Sequence, residues 1–288
     1  MTYTISDSNL DKSSLAVITD LDGTLLDYDS YSFDAAKPAL SKLRAMKVPV
    51  ICCSSKTCEE IMHWRRILRI SDPFVSENGA SVVLPRQHFK VLSNDLQPRG
   101  AYLVKTFGTN RDLLRYVFEK VRDESGITMI GFSDMTVAEI RQLCGFASDS
   151  EAVRAASREH SEPFRFGNGV GEAKIARVLR EFTNAGLHVI RGRRFYHLAG
   201  KVNKGLAVGY LREAYLKAHG KRLTLIGIGD SKNDIEMLEA VDIPFLVMGR
   251  SRRYDKTVKE TARPMLAGAP GPEGWNRAVD LILSRLTA

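Results

Sequence analysis

Short apolar runs recur along the chain, and each is followed at once by polar or charged residues. The first run, LAVIT, is followed by DLDGT at 20–24, the second, at 48–53, by Ser54, and the third, at 223–228, by a Gly-Asp pair. Continuous apolar runs of this length are typical of strands that are buried on both faces of a parallel sheet. The pattern predicts three strands whose carboxyl ends carry polar side chains.

Segments with helical character separate these runs, at 34–46, 57–68 and 203–218. A strand, a helix and a second strand in this order form the parallel βαβ unit. The chain is therefore predicted to adopt an α/β fold whose core is a doubly wound, Rossmann-like parallel sheet.

The middle of the chain differs from the rest in its pattern of polar and apolar residues. From about residue 85 the chain is polar and loop-like, and it then alternates short strands with helices in an α+β pattern. This stretch is long enough to form a separate domain. We expect a core domain made of 1–84 and 199–288, with a cap domain inserted at 85–198.

Composition narrows the class of protein. The chain has 288 residues, 44% of them hydrophobic, and a net charge of +8, but its basic clusters are short and no nucleic-acid-binding motif is present. No apolar run approaches the roughly 20 residues of a membrane span, and the polar N-terminus is expected to be disordered. Four cysteines without a C-x-x-C pair are typical of reduced thiols. We expect a cytoplasmic protein, monomeric or homodimeric, that binds neither nucleic acid nor membrane.

Two carboxylates at the end of the first strand are the first candidate for chemistry. Period-two alternation places Asp20 and Asp22 on the same side of the chain, where they repel unless a cation lies between them. Mg²⁺ is the usual hard cation for such oxygens. A solvated Asp-Gly turn is the alternative, whereas a calcium loop of the EF-hand type does not fit, because its glycine position falls on Leu25.

The other strand ends add matching groups. Ser54 can bind an oxyanion, although it can also cap the following helix. Asp230 and Asp234 are four residues apart, as in a capped helix start, and Lys204 begins the preceding helix. Together these residue types predict a site for Mg²⁺ and phosphate. The sequence contains neither a Walker A motif nor G-x-S-x-G, which argues against a P-loop nucleotide site and a serine hydrolase.

The ordered set of DLDGT, a strand-end Ser54, Lys204-Gly205 and GDSKND at 229–234 resembles the four motifs of the haloacid dehalogenase superfamily. The middle insertion resembles the large α/β cap of its sugar-phosphatase branch. Within that branch the chain is similar to the mannosyl-3-phosphoglycerate phosphatase family. Four stretches carry this likeness: SSKT at 54–57, ENGA at 77–80, REHSEPF at 158–164 and RFYHL at 194–198.

The resemblance implies catalytic roles. Asp20 is expected to attack phosphorus and Asp22 to act as general acid and base. Mg²⁺ is expected to be held by Asp20, Asp22 through its backbone carbonyl, Asp230 and Asp234, the last directly or through a bound water. Ser54 and Lys204 are expected to bind the phosphoryl oxygens.

The cap is expected to choose the substrate. The implied substrate-binding residues are Ser55, Lys56, Arg158, Glu159, Ser161, Glu162, Arg194 and Asn233. Arg158 can pair with a carboxylate and the glutamates can accept sugar hydroxyls. As the alternative, Arg158 and Glu159 are exposed helix ends. His197 is expected to be a strand residue whose hydrogen bonds are satisfied, since Asp22 already supplies acid–base function.

The implied activity is Mg²⁺-dependent hydrolysis of mannosyl-3-phosphoglycerate to mannosylglycerate and phosphate, through an aspartyl-phosphate. The phosphorylated sugar-glycerate is thus the expected small-molecule partner. The sequence leaves three alternatives open. These are a phosphatase for glucosyl-3-phosphoglycerate, sucrose phosphate or another sugar phosphate, a phosphosugar mutase with the same Asp pair, and a non-catalytic protein that binds Mg²⁺ or phosphate.

Overall fold

The structure is a computed structural model that describes residues 14–89, 95–192 and 194–286. The N-terminal segment, for which the sequence predicts disorder, lies outside the described residues. The described strands are β1 (Leu15–Thr19), β2 (Val50–Cys53), β3 (Phe74–Ser76), β4 (Ser81–Pro85), β5 (Gln97–Arg99), β6 (Tyr102–Thr106), β7 (Met129–Gly131), β8 (Ser161–Phe166), β9 (His188–Arg191), β10 (Tyr196–Ala199), β11 (Thr224–Gly229), β12 (Ile243–Met248) and β13 (Met265–Pro270).

The helices alternate with these strands over most of the chain. The described α-helices are α1 (Lys37–Ala45), α2 (Cys58–Leu68), α3 (Arg111–Ser125), α4 (Val137–Cys144), α5 (Asp149–Ala156), α6 (Glu172–Asn184), α7 (Lys204–His219), α8 (Ile235–Ala240), α9 (Lys256–Thr261) and α10 (Gly271–Leu286). Helix α3 ends at Gly126 in the left-handed conformation, and α7 ends in the same way at Gly220. Both are the C-terminal glycine caps that such a conformation requires.

A nine-stranded sheet has the order β13-β12-β11-β1-β2-β3-β4-β6-β5. Strand β1 lies between β11 and β2 and is parallel to both. Strands β12, β13 and β3 extend the parallel part, whereas β4 is antiparallel to β3, and β5 is antiparallel to β6. All five residues of β1 are buried, as expected for a central parallel strand. The predicted α/β fold class is confirmed, with an antiparallel addition at one edge.

A second sheet has the order β7-β8-β10-β9, and all of its neighbouring strands are antiparallel. Helices α3 and α6 supply its apolar core. Phe118, Phe164 and Phe182 lie at the centre, with ring centroids 5.3 to 6.3 Å apart. Aromatic rings at these separations bury large areas and pack edge-on or offset. Helices α4 and α5 enclose a smaller apolar cluster with Phe132 and Phe195.

The described chain divides into two compact units. Unit 1 comprises residues up to Ser54, Arg69–Lys105 and the segment from Asn203 onward, and unit 2 comprises Ser55–Leu68 and Thr106–Val202. These limits differ from the predicted domain boundaries in three places, at 55–68, 85–105 and 199–202. Strands β5 and β6 continue the large sheet, and helix α2 groups with unit 2, where the Thr57 hydroxyl donates to the Arg154 carbonyl oxygen at 2.7 Å.

Several elements differ from the sequence-based expectation. Strand β13 and helix α9 were not predicted, because MLAGAP has little apolar alternation and KTVKET has one buried residue, Val258. Helix α5 begins after Ser148, whose side chain accepts the capping hydrogen bond from the Glu151 amide.

Two glycines in helix α7 have opposite environments. A Cβ added to Gly205 would lie 2.4 Å from the carbonyl oxygen of Glu236 in α8, whereas one added to Gly209 would meet nothing within 4 Å. Gly205 therefore permits the close contact between α7 and α8, and Gly209 only weakens the helix.

We expect Gly205→Ala to lower the free energy of unfolding by about 1–3 kcal/mol, because the backbone of α8 must move. Gly209→Ala should raise it by about 0.5–1 kcal/mol, because alanine is the better helix former. Urea denaturation of the two variants checks both signs. Equal effects of the two substitutions would contradict this account of the helix contact.

Candidate active site

Adjacent parallel strands bring the first candidate residues together. Asp20 follows β1 directly, and its amide donates to the Ile228 carbonyl oxygen of β11 at 3.0 Å. Ser54 follows β2, the neighbour of β1 on the other side. Asp20 is only 4% exposed and Ser54 is 1% exposed. The carboxyl ends of these strands form one edge of the sheet, which is where ligands bind in folds of this kind.

The turn after Asp20 depends on glycine. Gly23 has φ +79°, and a Cβ there would lie 3.0 Å from Asp230 Oδ2. Glycine adopts this conformation without a steric penalty and leaves the space for the carboxylate. The Thr24 hydroxyl then donates to Asp230 Oδ1 at 3.3 Å. The DLDGT turn thus contacts the strand end that carries Asp230.

Asp234 is held from two sides. Its Oδ2 accepts hydrogen bonds from the amides of Asp230 and Ser231, at 3.0 and 3.2 Å. Gly229 makes room for it, since a Cβ at that position would lie 2.7 Å from the Asp234 side chain. Asp234 is fully buried, so this carboxylate is fixed by the backbone at the end of β11.

Lys204 connects the carboxylates. Its side chain is completely buried, and its Nζ donates to Asp20 Oδ1 at 2.7 Å and to Asp234 Oδ1 at 2.6 Å. Burial alone would lower the pKa of Lys204, but the negative charges of Asp20 and Asp234 outweigh it and raise that pKa above its ordinary value. The group is therefore an ammonium ion at neutral pH.

Three carboxylates form a compact acidic group in the described part of the chain. Ligand oxygens of Asp20, Asp230 and Asp234 all lie within 4.8 Å of one another. Burial raises the pKa of Asp20 to about 7, with a further contribution from Asp234. Burial and the charges of Asp234 and Asp20 raise the pKa of Asp230 well above its ordinary value. The ionised forms are thus disfavoured without a further cation, and hard oxygens in this arrangement fit a divalent metal.

Asp22 lies beside this group without belonging to it. It is half-buried, and its charge makes a small contribution to the raised pKa of Asp20. The acidic group in the described residues contains no carboxylate oxygen of Asp22.

Asn78 is a site neighbour that the sequence did not single out. Its amide donates to the Ser54 carbonyl oxygen at 3.0 Å, and its Oδ1 accepts from Asn233 Nδ2 at 3.2 Å. Glu77 and Asn78 both have positive φ, at 47° and 58°. Strain of this kind in residues other than glycine is concentrated at functional sites. Asn78 ties the end of β2 to the GDSKND segment.

A second neighbour, Trp275, contacts Asp20 through the Thr19 hydroxyl. Trp275 in helix α10 is fully buried, and its Nε1 donates to the Thr19 hydroxyl at 3.0 Å. That hydroxyl in turn donates to the Asp20 carbonyl oxygen at 2.7 Å. A single tryptophan far along the chain gives no sequence signal for this role, since a buried tryptophan is usual in any core.

Most of the predicted substrate-binding residues lie in unit 2. Arg158 Nη1 donates to the Ser161 hydroxyl at 3.1 Å and to the Ser55 carbonyl oxygen at 3.2 Å. Lys56 Nζ lies 3.6 Å from Glu60 Oε1, and both side chains are buried. Arg158 is half-buried, so it is not simply an exposed helix end.

Other predicted residues have different surroundings. Glu162 is fully buried, and its oxygens accept hydrogen bonds from Arg111 Nε at 2.9 Å and from the Ser133 amide and hydroxyl at 2.8 Å. Arg194 is exposed and donates to the Cys144 carbonyl oxygen. The Glu159 carbonyl oxygen accepts from the Arg111 amide at 2.9 Å. Asn233 is in unit 1 with Asn78.

His197 differs from its expectation. No hydrogen-bond partner for its Nδ1 is found among the described residues, although that atom is buried. Burial lowers the pKa of His197 to about 3, with a further contribution from the charge of Arg158. The imidazole is therefore neutral at physiological pH.

In the part of the chain that the structure describes, we find no helix with the length and apolar character needed to cross a membrane.

The chain is similar to known proteins along most of its length. The family model for haloacid dehalogenase-like hydrolases matches residues 17–263. A glucosyl-3-phosphoglycerate/mannosyl-3-phosphoglycerate phosphatase of Methanococcoides burtonii is 40% identical over 267 residues, covering 92% of this chain and 96% of that protein. A protein of the same name from Persephonella marina is 34% identical over 274 residues, covering 94% and 98%.

Solved structures share the fold. The crystal structure of protein 0175 of Thermoplasma acidophilum matches with a TM-score of 0.64 and 17% identity, over 93% of this chain and 98% of that one. The family model spans the DLDGT and GDSKND segments, which supply the acidic group, and also Lys204. The chain therefore belongs to the haloacid dehalogenase-like hydrolases.

Proposed function

We propose that this protein is a phosphoric monoester hydrolase that acts on mannosyl-3-phosphoglycerate and glucosyl-3-phosphoglycerate. The observation that carries the chemistry is the buried contact of one ammonium, Lys204, with the carboxylates of Asp20 and Asp234. The names of two relatives, 40% and 34% identical over nearly the whole chain, support the choice of substrate. The mannosyl and the glucosyl ester are both included because the name of each relative contains both.

Asp20 is the proposed nucleophile. Its carboxylate oxygen forms a bond to phosphorus while the bond from phosphorus to the glycerate oxygen breaks, which gives an aspartyl-phosphate. Asp22 donates a proton to the departing alkoxide, because an alkoxide is a poor leaving group. Asp22 then accepts a proton from the water that attacks the aspartyl-phosphate, and phosphate leaves with Asp20 restored.

The acidic group is the proposed Mg²⁺ site, with Asp20, Asp230, Asp234 and the backbone carbonyl of Asp22 as candidate ligands. Asp234 would hold the ion directly or through a bound water. Bound Mg²⁺ would supply positive charge that offsets the repulsion between the carboxylates and the phosphate. These hard oxygens suit Mg²⁺ because it prefers carboxylate and carbonyl ligands.

Lys204 and Ser54 are proposed to bind the phosphoryl oxygens. The ammonium of Lys204 is held in place by two carboxylates before any substrate arrives, so no reorganisation is needed as charge develops. Asn78 holds the backbone at Ser54, and Asn233 is held by Asn78. We propose Asn233 as a further phosphate contact from the same edge of the sheet.

A cytoplasmic location is also proposed. Among the described residues, none of the four cysteines forms a disulfide, and two of them, Cys52 and Cys53, are buried in β2. Cysteines without disulfides are usual in reducing compartments.

Asp20→Asn should lower the rate of phosphate release by more than about 10³-fold, because the amide cannot attack phosphorus. Asp29→Asn is the matched control, since Asp29 is exposed and its carboxylate pairs with Arg250 at 3.0 Å. Steady-state release of inorganic phosphate measures both variants. A rate for Asp20→Asn within tenfold of the wild type would remove Asp20 from the nucleophile role.

Mg²⁺ should raise the thermal unfolding midpoint of the wild type but not that of Asp230→Asn. At a concentration one hundred times Kd, the added stability is about 2.7 kcal/mol. The effect should grow from pH 5 to pH 8. Because the pKa of Asp20 is raised to about 7, the protonated carboxyl group stabilises the metal-free fold at low pH. This stabilisation is lost as the pH rises past 7, where the ionised carboxylate can bind Mg²⁺. Scanning calorimetry with and without Mg²⁺ gives both comparisons, and an equal shift in both proteins contradicts the assignment.

A panel of phosphate esters tests the substrate. Mannosyl- and glucosyl-3-phosphoglycerate should have kcat/KM values at least about tenfold above those of sucrose phosphate and a generic aryl phosphate, because the site then makes contacts beyond the phosphate. Free phosphate as the product excludes a mutase, which would return the group to a sugar. A higher kcat/KM for sucrose phosphate would overturn the substrate proposal and keep the phosphatase.

A further inference from the structure

A strained turn, residues 77–79, joins β3 to β4 within unit 1, and we call it the ENG turn. Its three residues, Glu77, Asn78 and Gly79, all have positive φ, at 47°, 58° and 100°. Residues other than glycine adopt this conformation at a cost, and they keep it only where their surroundings hold them in place. Contacts between the ENG turn and three segments of the candidate active site hold this turn in place.

The backbone of the ENG turn makes the first two contacts. The Asn78 amide donates to the Ser54 carbonyl oxygen at the end of β2, at 3.0 Å. Gly79 lies against the residue that precedes Lys204, since a Cβ added to Gly79 would be 2.0 Å from the Asn203 carbonyl oxygen. Only glycine allows this approach. The turn therefore fixes the end of β2 relative to the start of α7, and these two segments carry Ser54 and Lys204.

The Asn78 side chain, which is buried, makes the third contact. Its Oδ1 accepts from Asn233 Nδ2 at 3.2 Å, and Asn233 Oδ1 accepts from the Ser231 hydroxyl at 2.7 Å. The Ser231 hydroxyl can accept as well as donate, so it does not fix the orientation of the Asn233 amide alone. Asn78 Oδ1 can only accept, and it therefore selects the orientation in which Nδ2 faces the turn. That nitrogen carries a second hydrogen, for which the described residues provide no further acceptor.

We propose that Asn78 is a positioning residue for phosphate binding. Its Oδ1 orients the Asn233 amide so that the second Nδ2 hydrogen is donated to an oxygen of the phosphoryl group. Without this acceptor the Asn233 amide can rotate by 180° and present its oxygen, which repels an anion. A donor that is oriented before the substrate binds needs no reorganisation afterwards. This inference rests on the proposed function, in which Asn233 contacts the phosphate.

Asn78→Gly removes the side chain and keeps the backbone contacts, because glycine adopts the same φ without strain. It should raise the Kd of inorganic phosphate, measured by calorimetry with Mg²⁺ present, by about 5- to 50-fold, the range between a neutral and a charge-assisted hydrogen bond. The KM for a generic aryl phosphate should rise in parallel, with kcat changed by less than about threefold, because the donor contacts bound substrate and transition state alike. Lys47→Gly is the matched control and should change neither constant. Lys47 also has a positive φ, 56°, but it is exposed and precedes the amino end of β2.

A double-mutant cycle tests whether Asn78 acts through Asn233. Asn233→Ala should also raise the Kd of inorganic phosphate by about 5- to 50-fold. The double variant should match Asn233→Ala within about twofold, because Asn78 then has no amide to orient. A loss equal to the product of the two single effects would overturn the proposal, since Asn78 would then act without Asn233. An unchanged Kd of inorganic phosphate in Asn78→Gly would overturn it as well.

Thermal unfolding separates positioning from an effect on the fold. The midpoint of Asn78→Gly should lie within about 3 °C of the wild type, because the lost hydrogen bond and the relieved backbone strain have opposite effects on stability. If that variant does not fold, Asn78→Ala provides the same cycle with the Cβ retained. Failure of the proposed function is seen separately. The Kd of inorganic phosphate needs neither turnover nor the sugar, whereas the nucleophile and the substrate are tested by Asp20→Asn and by the ester panel.

Discussion

The contact of one buried ammonium with two buried carboxylates is the interaction on which the site depends. Lys204 is completely buried between Asp20 and Asp234. Asp20 follows β1 near the start of the sequence, whereas Asp234 follows β11 in the C-terminal part. Burying these charges separately would cost several kcal/mol each, so they are stable only together. The site has three carboxylates, Asp20, Asp230 and Asp234, but only the one ammonium of Lys204 among them. This excess of negative charge makes the site suited to a cation.

Small residues allow that contact to form. Gly23, Gly205 and Gly229 each stand where a Cβ would collide with a site residue or with the helix that follows one. Their role is spatial: the DLDGT turn, the start of α7 and the end of β11 can approach one another only without side chains at these points. The glycines of the motifs thus matter for the same reason as the charged residues, since they determine how close the charges come.

The sequence could predict what depends on local pattern and on strand order. Apolar runs ending in Asp20, Ser54 and Asp230 indicated neighbouring parallel strands, and the structure brings Asp20 and Asp230 together. Contacts between side chains that are far apart in the sequence are not indicated by any local sequence pattern. Asn78 bonds to Asn233, and Trp275 to Thr19, through side-chain hydrogen bonds whose partners have no fixed spacing in the sequence.

In unit 2, too, the surroundings of individual polar side chains could not be predicted from the sequence. Glu162 was expected to accept sugar hydroxyls, and it is surrounded by Arg111 and Ser133 instead. His197 was expected to be hydrogen-bonded, and its Nδ1 has no partner among the described residues. Whether a polar residue on a strand faces a core, a partner or a ligand depends on the register of β8 against β10 and on the position of Arg158. Neither can be derived from alternation along one strand.

The most direct test of the account is the position of a bound divalent ion. Crystals grown with Mn²⁺ in place of Mg²⁺ give an anomalous signal that locates the metal without reference to activity. We predict a single strong peak within about 2.0–2.4 Å of carboxylate oxygens of Asp20 and Asp230, on the side of Asp20 away from Lys204 Nζ. A peak that contacts neither carboxylate, or none at saturating Mn²⁺, would contradict the claim that these acidic side chains are arranged around one cation.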